Sequence, residues 1–345
     1  MNGDYRVRTM VSLIAIVVVC AALYLANTVF APLTLALFIV AIVWPLQCKL
    51  QSRLPKLIAL AISIGITVIV CLAFVWLAVW GFGRIARALI ADATPYQALY
   101  DHLVTWLEGH GISVAGLWAE HFDVSWLVRA VQQILNQINS MTSFSLVVLI
   151  YVILGLLEVD DMRLKIQRME NREAARILLD GAAASAQKFR KYMLVRTQMS
   201  VLTGALVFAC LQIAGLRFAA EWGVIAFVLN YIPFIGPFIA TLFPTMFAVA
   251  QFEVWQSAVG VFVCLNIVQF VVGSYIEPRI CGNVLSISPF VVLFSVFFWT
   301  FLWGLFGAFI GVPIMIAILT YCEQSASSRW LADLLGGPAR VRTGT

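Results

Sequence analysis

Apolar runs long enough to cross a bilayer alternate with two charged stretches along this chain. Residues 10–26 and 30–46 are apolar and nearly contiguous, 57–82 follow, and 141–157 come after a more polar segment. Residues 200–216 make a fifth run. The next, 218–250, is broken by Pro233, Gly236, Pro237 and Pro244. Residues 254–276 are uninterrupted, whereas 284–321 are apolar over 38 residues but carry Pro289, Gly304, Gly307, Gly311 and Pro313. A hydrocarbon core of about 30 Å takes roughly 20 residues of helix, so these eight segments predict membrane helices. The 26 residues of 57–82 would extend about 39 Å, enough to tilt or to emerge from the membrane. Arg6 and Arg8 ahead of the first run resemble the start of a signal peptide. No small-x-small cleavage site separates that run from the second, so both are read as retained spans.

Between the third and fourth runs the character changes. Residues 84–140 hold Arg84, Arg87 and Arg129 against Asp92, Asp101, Glu108, Glu120 and Asp123, with all three histidines and Trp106, Trp118 and Trp126. Val131, Ile134, Leu135 and Ile138 mark one helical face there, predicting a small helical insert outside the bilayer core. The second charged stretch, 158–196, has nine Lys/Arg and six Asp/Glu. Met162, Ile166, Met169 and Ile177 recur at helical spacing within it, predicting amphipathic helices on the membrane surface.

Composition agrees. The hydrophobic share is 62% and the charged share 11%, with 22 basic and 17 acidic residues. A soluble domain carries about 25% charged residues, and too little polar surface exists here to cover a soluble fold. An ordinary soluble enzyme, a disordered regulator and a nucleic-acid binder are excluded. The expected class is an all-α polytopic membrane protein, its principal partner the lipid bilayer. The divisions are 1–83 (three spans), 84–140 (extracytoplasmic insert), 141–157 (fourth span), 158–199 (cytoplasmic amphipathic segment), 200–322 (membrane block with broken helices) and 323–345, a loosely ordered cytoplasmic tail. Arg6 and Arg8, then Lys49, Arg53 and Lys56, then the nine basic residues of 158–196 fall on one side. The positive-inside rule makes that side, and both termini, cytoplasmic. Seven cysteines at scattered positions, without a CxxC, read as small apolar residues.

Two arrangements fit the C-terminal third. Either all eight segments cross, or 222–250 and 284–321 each dip in and return as re-entrant hairpins. Residues 222–232 give only about 16 Å of helix, and 38 residues give about 57 Å, too long for one simple span. Arg279 is outside in the first arrangement and inside in the second.

Candidate chemistry sits in that block. Asn230, Tyr231, Ile232, Pro233, Phe234, Ile235, Gly236 and Pro237 are consecutive, with Pro244 seven residues on. Two prolines and a glycine within five residues interrupt a helix and free backbone groups that protein, water or solute must satisfy. Transporters build solute sites from such discontinuous helices, the alternative being a kink that only shapes the bundle. Asn230 would add an amide. Glu277, Pro278, Arg279 and Gly282 form an ion-pair-capable turn, a gate or a structural turn at the membrane surface. Asn266 and Gln269 share a face with Gly273, giving that helix a polar stripe, and join Asn230, Tyr231, Pro233, Gly236 and Pro237 as candidate substrate-binding residues. Gly304, Gly307, Gly311 and Pro313 repeat the break, and Gly307 with Gly311 is a GxxxG spacing that brings helices close.

Taken together, the Asn230–Pro237 run with Pro244, the Glu277–Pro278–Arg279–Ile280–Cys281–Gly282 segment and the Gly311–Val312–Pro313 ending resemble the autoinducer-2 exporter family of bacterial inner-membrane proteins. The layout is similar over about residues 10–325. The resemblance implies export of autoinducer-2 or a related small polar solute, with Asn230, Pro233, Gly236, Pro237, Glu277, Pro278, Arg279 and Gly282 as site positions. It also implies a homo-oligomer, with a pentamer as the guess, and Na+(Li+)/H+ antiport as an alternative activity. A non-transport scaffold is the reading from another class. No carboxylate falls in the middle of a clean span of 197–322, which weakens antiport. No nucleotide, zinc or nucleophile-elbow motif is present, and His102, His110 and His121 are irregularly spaced, so no enzyme activity, cofactor or metal is expected.

Overall fold

The structure, a computed structural model, describes residues 2–91, 125–252, 254–281, 287–325 and 328–336. The described elements are helices: α1 (Asn2–Leu25), α2 (Asn27–Gln51), α3 (Lys56–Ala91), α4 (Ser125–Gln167), α5 (Arg172–Ile213), α6 (Ala219–Leu229), α7 (Ile235–Gln251), α8 (Trp255–Phe270), a π-helical segment (Val271–Ile276), α9 (Glu277–Cys281), α10 (Pro289–Gln324) and α11 (Arg329–Leu335). Among the described residues, five helices are long and apolar enough to cross a membrane: α2, Lys56–Leu89, α5, Trp255–Ile280 and α10. The chain is a multi-pass, all-α membrane protein. Its residues divide into two compact units, Met1–Thr67 with Ser143–Leu194 and Gly282–Thr345, and Val68–Thr142 with Val195–Cys281.

In the first unit, Val40 and Val43 of α2 pack with Leu60 of α3 and with Val148, Val152 and Leu156 of α4. These are the three- and four-residue spacings of single helix faces. Arg190 of α5 donates to the Ala41 carbonyl at 3.0 Å, and the Phe38 and Phe189 rings lie 4.5 Å apart. Helix α10 is broken at Trp303 and Gly304. Gly304 has φ 62° and ψ −143°, a conformation that a residue with a side chain adopts only under strain. Its two arms, 289–302 and 305–324, fold back on each other. Ser295 Oγ donates to the Gly311 carbonyl at 2.7 Å, and a Cβ on Gly307 would run into the Trp299 carbonyl. The tip is anchored where Trp303 Nε1 donates to the Leu23 carbonyl at 3.1 Å. At the open end, Lys188 pairs with Glu323 at 2.5 Å.

In the second unit, α5 to α8 enclose a core of Val207, Leu211, Trp222, Ile225, Phe247, Val261 and Leu265. Helices α6 and α7 form a hairpin. With 11 and 17 residues they measure about 16 and 25 Å. Gly204 of α5 and Gly223 of α6 meet so closely that a Cβ on either would come within 2.8 Å of the other's carbonyl oxygen. Cys210 of α5 and Cys264 of α8 are disulfide-bonded, with Cα atoms 6.7 Å apart. Their 54-residue separation hid this partnership in the sequence, where both counted as apolar filler.

Several expectations change. The borders drawn at 140, 157 and 199 lie inside α4 and α5, which run through them unbroken. Charge density shifts along those helices while the backbone continues. In the insert, 84–91 extend α3 and 125–140 begin α4; the three histidines lie outside the described residues. The tail is not wholly loose: α11 is a helix, and Ser288 N–H donates to the Leu335 carbonyl at 3.2 Å. Pro244, Gly307, Gly311 and Pro313 do not break helices, since each sits buried within one; of the expected break positions in 284–321 only Gly304 interrupts the helix. Around Pro244, the Thr241 and Thr245 hydroxyls donate to the Pro237 and Thr241 carbonyls. Glu277, Pro278 and Arg279 continue a helix instead of turning. Pro278 lacks an N–H and its ring crowds the carbonyl four residues back. The π-helical turns just before it provide the wider geometry.

Candidate functional site

The α6–α7 hairpin carries its polar residues at the tip. Helix α6 stops at Leu229, and Ile232 N–H donates to the Leu229 carbonyl at 2.9 Å. Phe234 then takes φ 63° and ψ −53°, and Ile235 N–H donates to the Pro233 carbonyl at 2.7 Å. This is a γ-turn of the rare positive-φ hand, a strained geometry that persists only where its surroundings impose it. Pro237 falls in the first turn of α7, where its missing N–H costs nothing. Gly236 packs against the Leu229 carbonyl with no room for a side chain.

Opposite the tip, α5 presents Arg196, Ser200 and Thr203 at spacings of four and three, hence on one face. All three are buried, as are Asn230 and Tyr231. Asn230 Nδ2 donates to Ser200 Oγ at 3.2 Å, and Tyr231 OH donates to Thr197 Oγ1 at 2.9 Å. The Tyr231 ring meets Phe74 and Phe227 edge-on, at centroid separations of 5.4 and 5.7 Å. Thr203 Oγ1 is buried with no hydrogen-bond partner among the described residues. One turn before Ser200, Arg196 Nη1 donates to Glu277 Oε1 at 2.7 Å. The cluster therefore offers hydroxyls and an amide beside a mutually neutralised ion pair.

The open end of the hairpin is held by a second pair, Arg84 to Glu221 at 2.8 Å. Gln251, the last residue of α7, accepts from the Arg217 N–H at 2.8 Å and donates to the Gly215 carbonyl at 2.9 Å.

The family model described as "AI-2E family transporter" matches residues 13–327. The chain belongs to the AI-2E transporter family. "AI-2 transport protein TqsA" of Escherichia coli K12 is 32% identical over 330 residues, 93% of each chain. Two of several relatives named "Putative transport protein" align over nearly the whole chain. One from Haemophilus influenzae is 28% identical over 348 residues (95% of this chain, 96% of that one). The other, YhhT of Escherichia coli K12, is 26% identical over 338 (97% and 95%).

In this AI-2E transporter the residues singled out from sequence separate into groups. Asn230, Tyr231, Pro233, Gly236 and Pro237 come together at the tip. Asn266 is exposed and donates to the Phe262 carbonyl of its own helix, and Gln269 is partly buried on that helix. Glu277 pairs with Arg196, while the Arg279 guanidinium lies over the Tyr275 ring at 3.8 Å. Gly282 lies outside the described residues. Gly307 and Gly311 press against Trp299 and Ser295 of the other arm of α10. Sequence reasoning missed Arg196, Thr197, Ser200 and Thr203. Arg196 had been counted as a surface charge, and the only signal was hydroxyl residues at helical spacing in an apolar run.

Proposed function

We propose that this transporter exports a small, uncharged polar solute across the bacterial inner membrane, and that the solute binds at the α6–α7 tip. Autoinducer-2 is the first candidate, supported by the name of the Escherichia coli relative. The observation that carries the reading is the buried set Ser200, Thr203, Asn230 and Tyr231 inside an apolar unit. Such groups are costly in a membrane unless they serve a polar passenger or one another. Asn230 and the backbone of 230–237 bind solute, with the Ser200, Thr197 and Thr203 hydroxyls opposite. Arg196 with Glu277 fixes the helix that faces them.

The re-entrant arrangement fits this reading. Arg196 ends the basic stretch that the positive-inside rule makes cytoplasmic, and its partner Glu277 brings Arg279 to the same side. The α6–α7 hairpin then enters from the extracytoplasmic face, and the termini are cytoplasmic. Single-cysteine labelling at 279 tests that topology.

Function is tested with purified protein in liposomes, following autoinducer-2, Na+ and H+ in parallel. Solute efflux that falls with Asn230→Ala and Ser200→Ala supports the proposal. Ion exchange without solute movement, or unchanged efflux in variants that insert normally, overturns it.

A further inference from the structure

The first unit contains polar side chains that the solute site does not use. Gln47 of α2 and Ser63 of α3 are both 0% exposed. Neither amide atom of Gln47 has a hydrogen-bond partner among the described residues, and neither does Ser63 Oγ. Gln51 Nε2, one turn beyond Gln47, is also buried and unpartnered. Each lies on an established contact face. Gln47 continues the α2 face of Val40 and Val43, and Ser63 follows Leu60 by one turn on α3; those apolar residues share one core cluster. Helices α2 and α3 are joined by residues 52–55, so the faces run antiparallel and bring Gln47 level with the turn of Leu60 and Ser63.

An amide or hydroxyl buried without a partner costs several kcal/mol in hydrocarbon, because the bilayer core has no water to supply one. Satisfying a donor and an acceptor on Gln47, together with a hydroxyl on Ser63, calls for a small neutral group that both donates and accepts. A metal ion does not fit, since the described residues hold no group of three or more metal-binding side chains. We infer that Gln47, Gln51 and Ser63 line a polar pocket in the first unit that takes a hydroxyl-bearing neutral molecule, either water or a solute hydroxyl. The chain between α2 and α3, close in sequence to Gln51, carries Arg53, with Lys49 and Lys56 on either side of it. The pocket does not depend on the solute site of the second unit, and it stands or falls separately.

The test places single cysteines at 47 and 63 in full-length protein whose seven native cysteines are replaced. The near-isosteric Ser63→Cys is chosen to preserve folding, and Val152→Cys, in the same core, serves as the dry control. Thiosulfonate reagents need a hydrated thiolate. Modification by the small reagent 2-aminoethyl methanethiosulfonate should run at least about ten-fold faster at 47 and 63 than at 152. Adding glycerol distinguishes the sources. Slower labelling means that a polyol hydroxyl occupies the pocket, and unchanged labelling means that water does. Labelling at both positions as slow as at 152 overturns the inference. If neither cysteine variant folds, Gln47→Leu decides. A dry, unpaired amide would be relieved by leucine and the melting temperature would rise, which overturns the inference; a hydrated one leaves it unchanged or lower.

Discussion

Arg196 donates to the Glu277 carboxylate at 2.7 Å, joining α5 to α9 across 81 positions of sequence. The two side chains are 7% and 19% exposed, so little water remains to replace either partner. Removing one member of such a pair costs more than removing both, because a lone charge stays behind. Arg196→Ala should therefore destabilise by about 3 kcal/mol, whereas Arg196→Met combined with Glu277→Leu should recover most of that loss. Thermal unfolding of the purified variants measures both.

The Arg84–Glu221 pair should respond unequally. Glu221 is 5% exposed and Arg84 51%. Arg84→Ala leaves a buried carboxylate unpaired, while Glu221→Gln leaves an arginine with access to solvent. The first substitution should lower the melting temperature further than the second, and equal losses would contradict the geometry.

At the hairpin tip, Tyr231→Phe removes the hydrogen bond to Thr197 but keeps the ring against Phe74 and Phe227. Its stability cost should be only about 1 kcal/mol. Solute efflux should fall by more than that cost explains, if the hydroxyl belongs to the solute path. Measuring efflux and melting on the same preparation separates the two effects.

Glycines give opposite results at different positions. Gly65 lies within α3 with open space where a Cβ would be, so Gly65→Ala should stabilise by roughly 0.5–1 kcal/mol. Gly307→Ala drives a methyl into the Trp299 carbonyl and should abolish folded protein, read as loss of the monodisperse gel-filtration peak.

Much of this was legible in the sequence, because apolar length and proline placement act locally. The break at 230–237 follows from two prolines and a glycine close together, whereas no local signal set Gly304 apart from Gly307 and Gly311, which continue the helix beyond it. Charge density was a poorer guide. The sharp change between Leu157 and Glu158 suggested a border, yet helical hydrogen bonds are indifferent to which side chains project outward, and α4 runs straight through. Pro244 misled in the reverse direction, since α7 runs through it from Ile235 to Gln251. The partners of Asn230 and Glu277 were out of reach. Nothing in the spacing of Ser200 or Arg196 says which distant segment will lie opposite, and only tertiary packing decides it.

The fold-back in α10 has a consequence for how the protein can change. Its contacts fall in pairs equidistant from Trp303: Trp299 against Gly307 four residues to either side, and Ser295 against Gly311 eight to either side. One residue inserted in a single arm would swing everything beyond it by about 100° around the helix axis. Neither glycine would then face its partner. Length in this hairpin is counted from the middle, like a folded ruler, and its two arms can grow or shrink only in step.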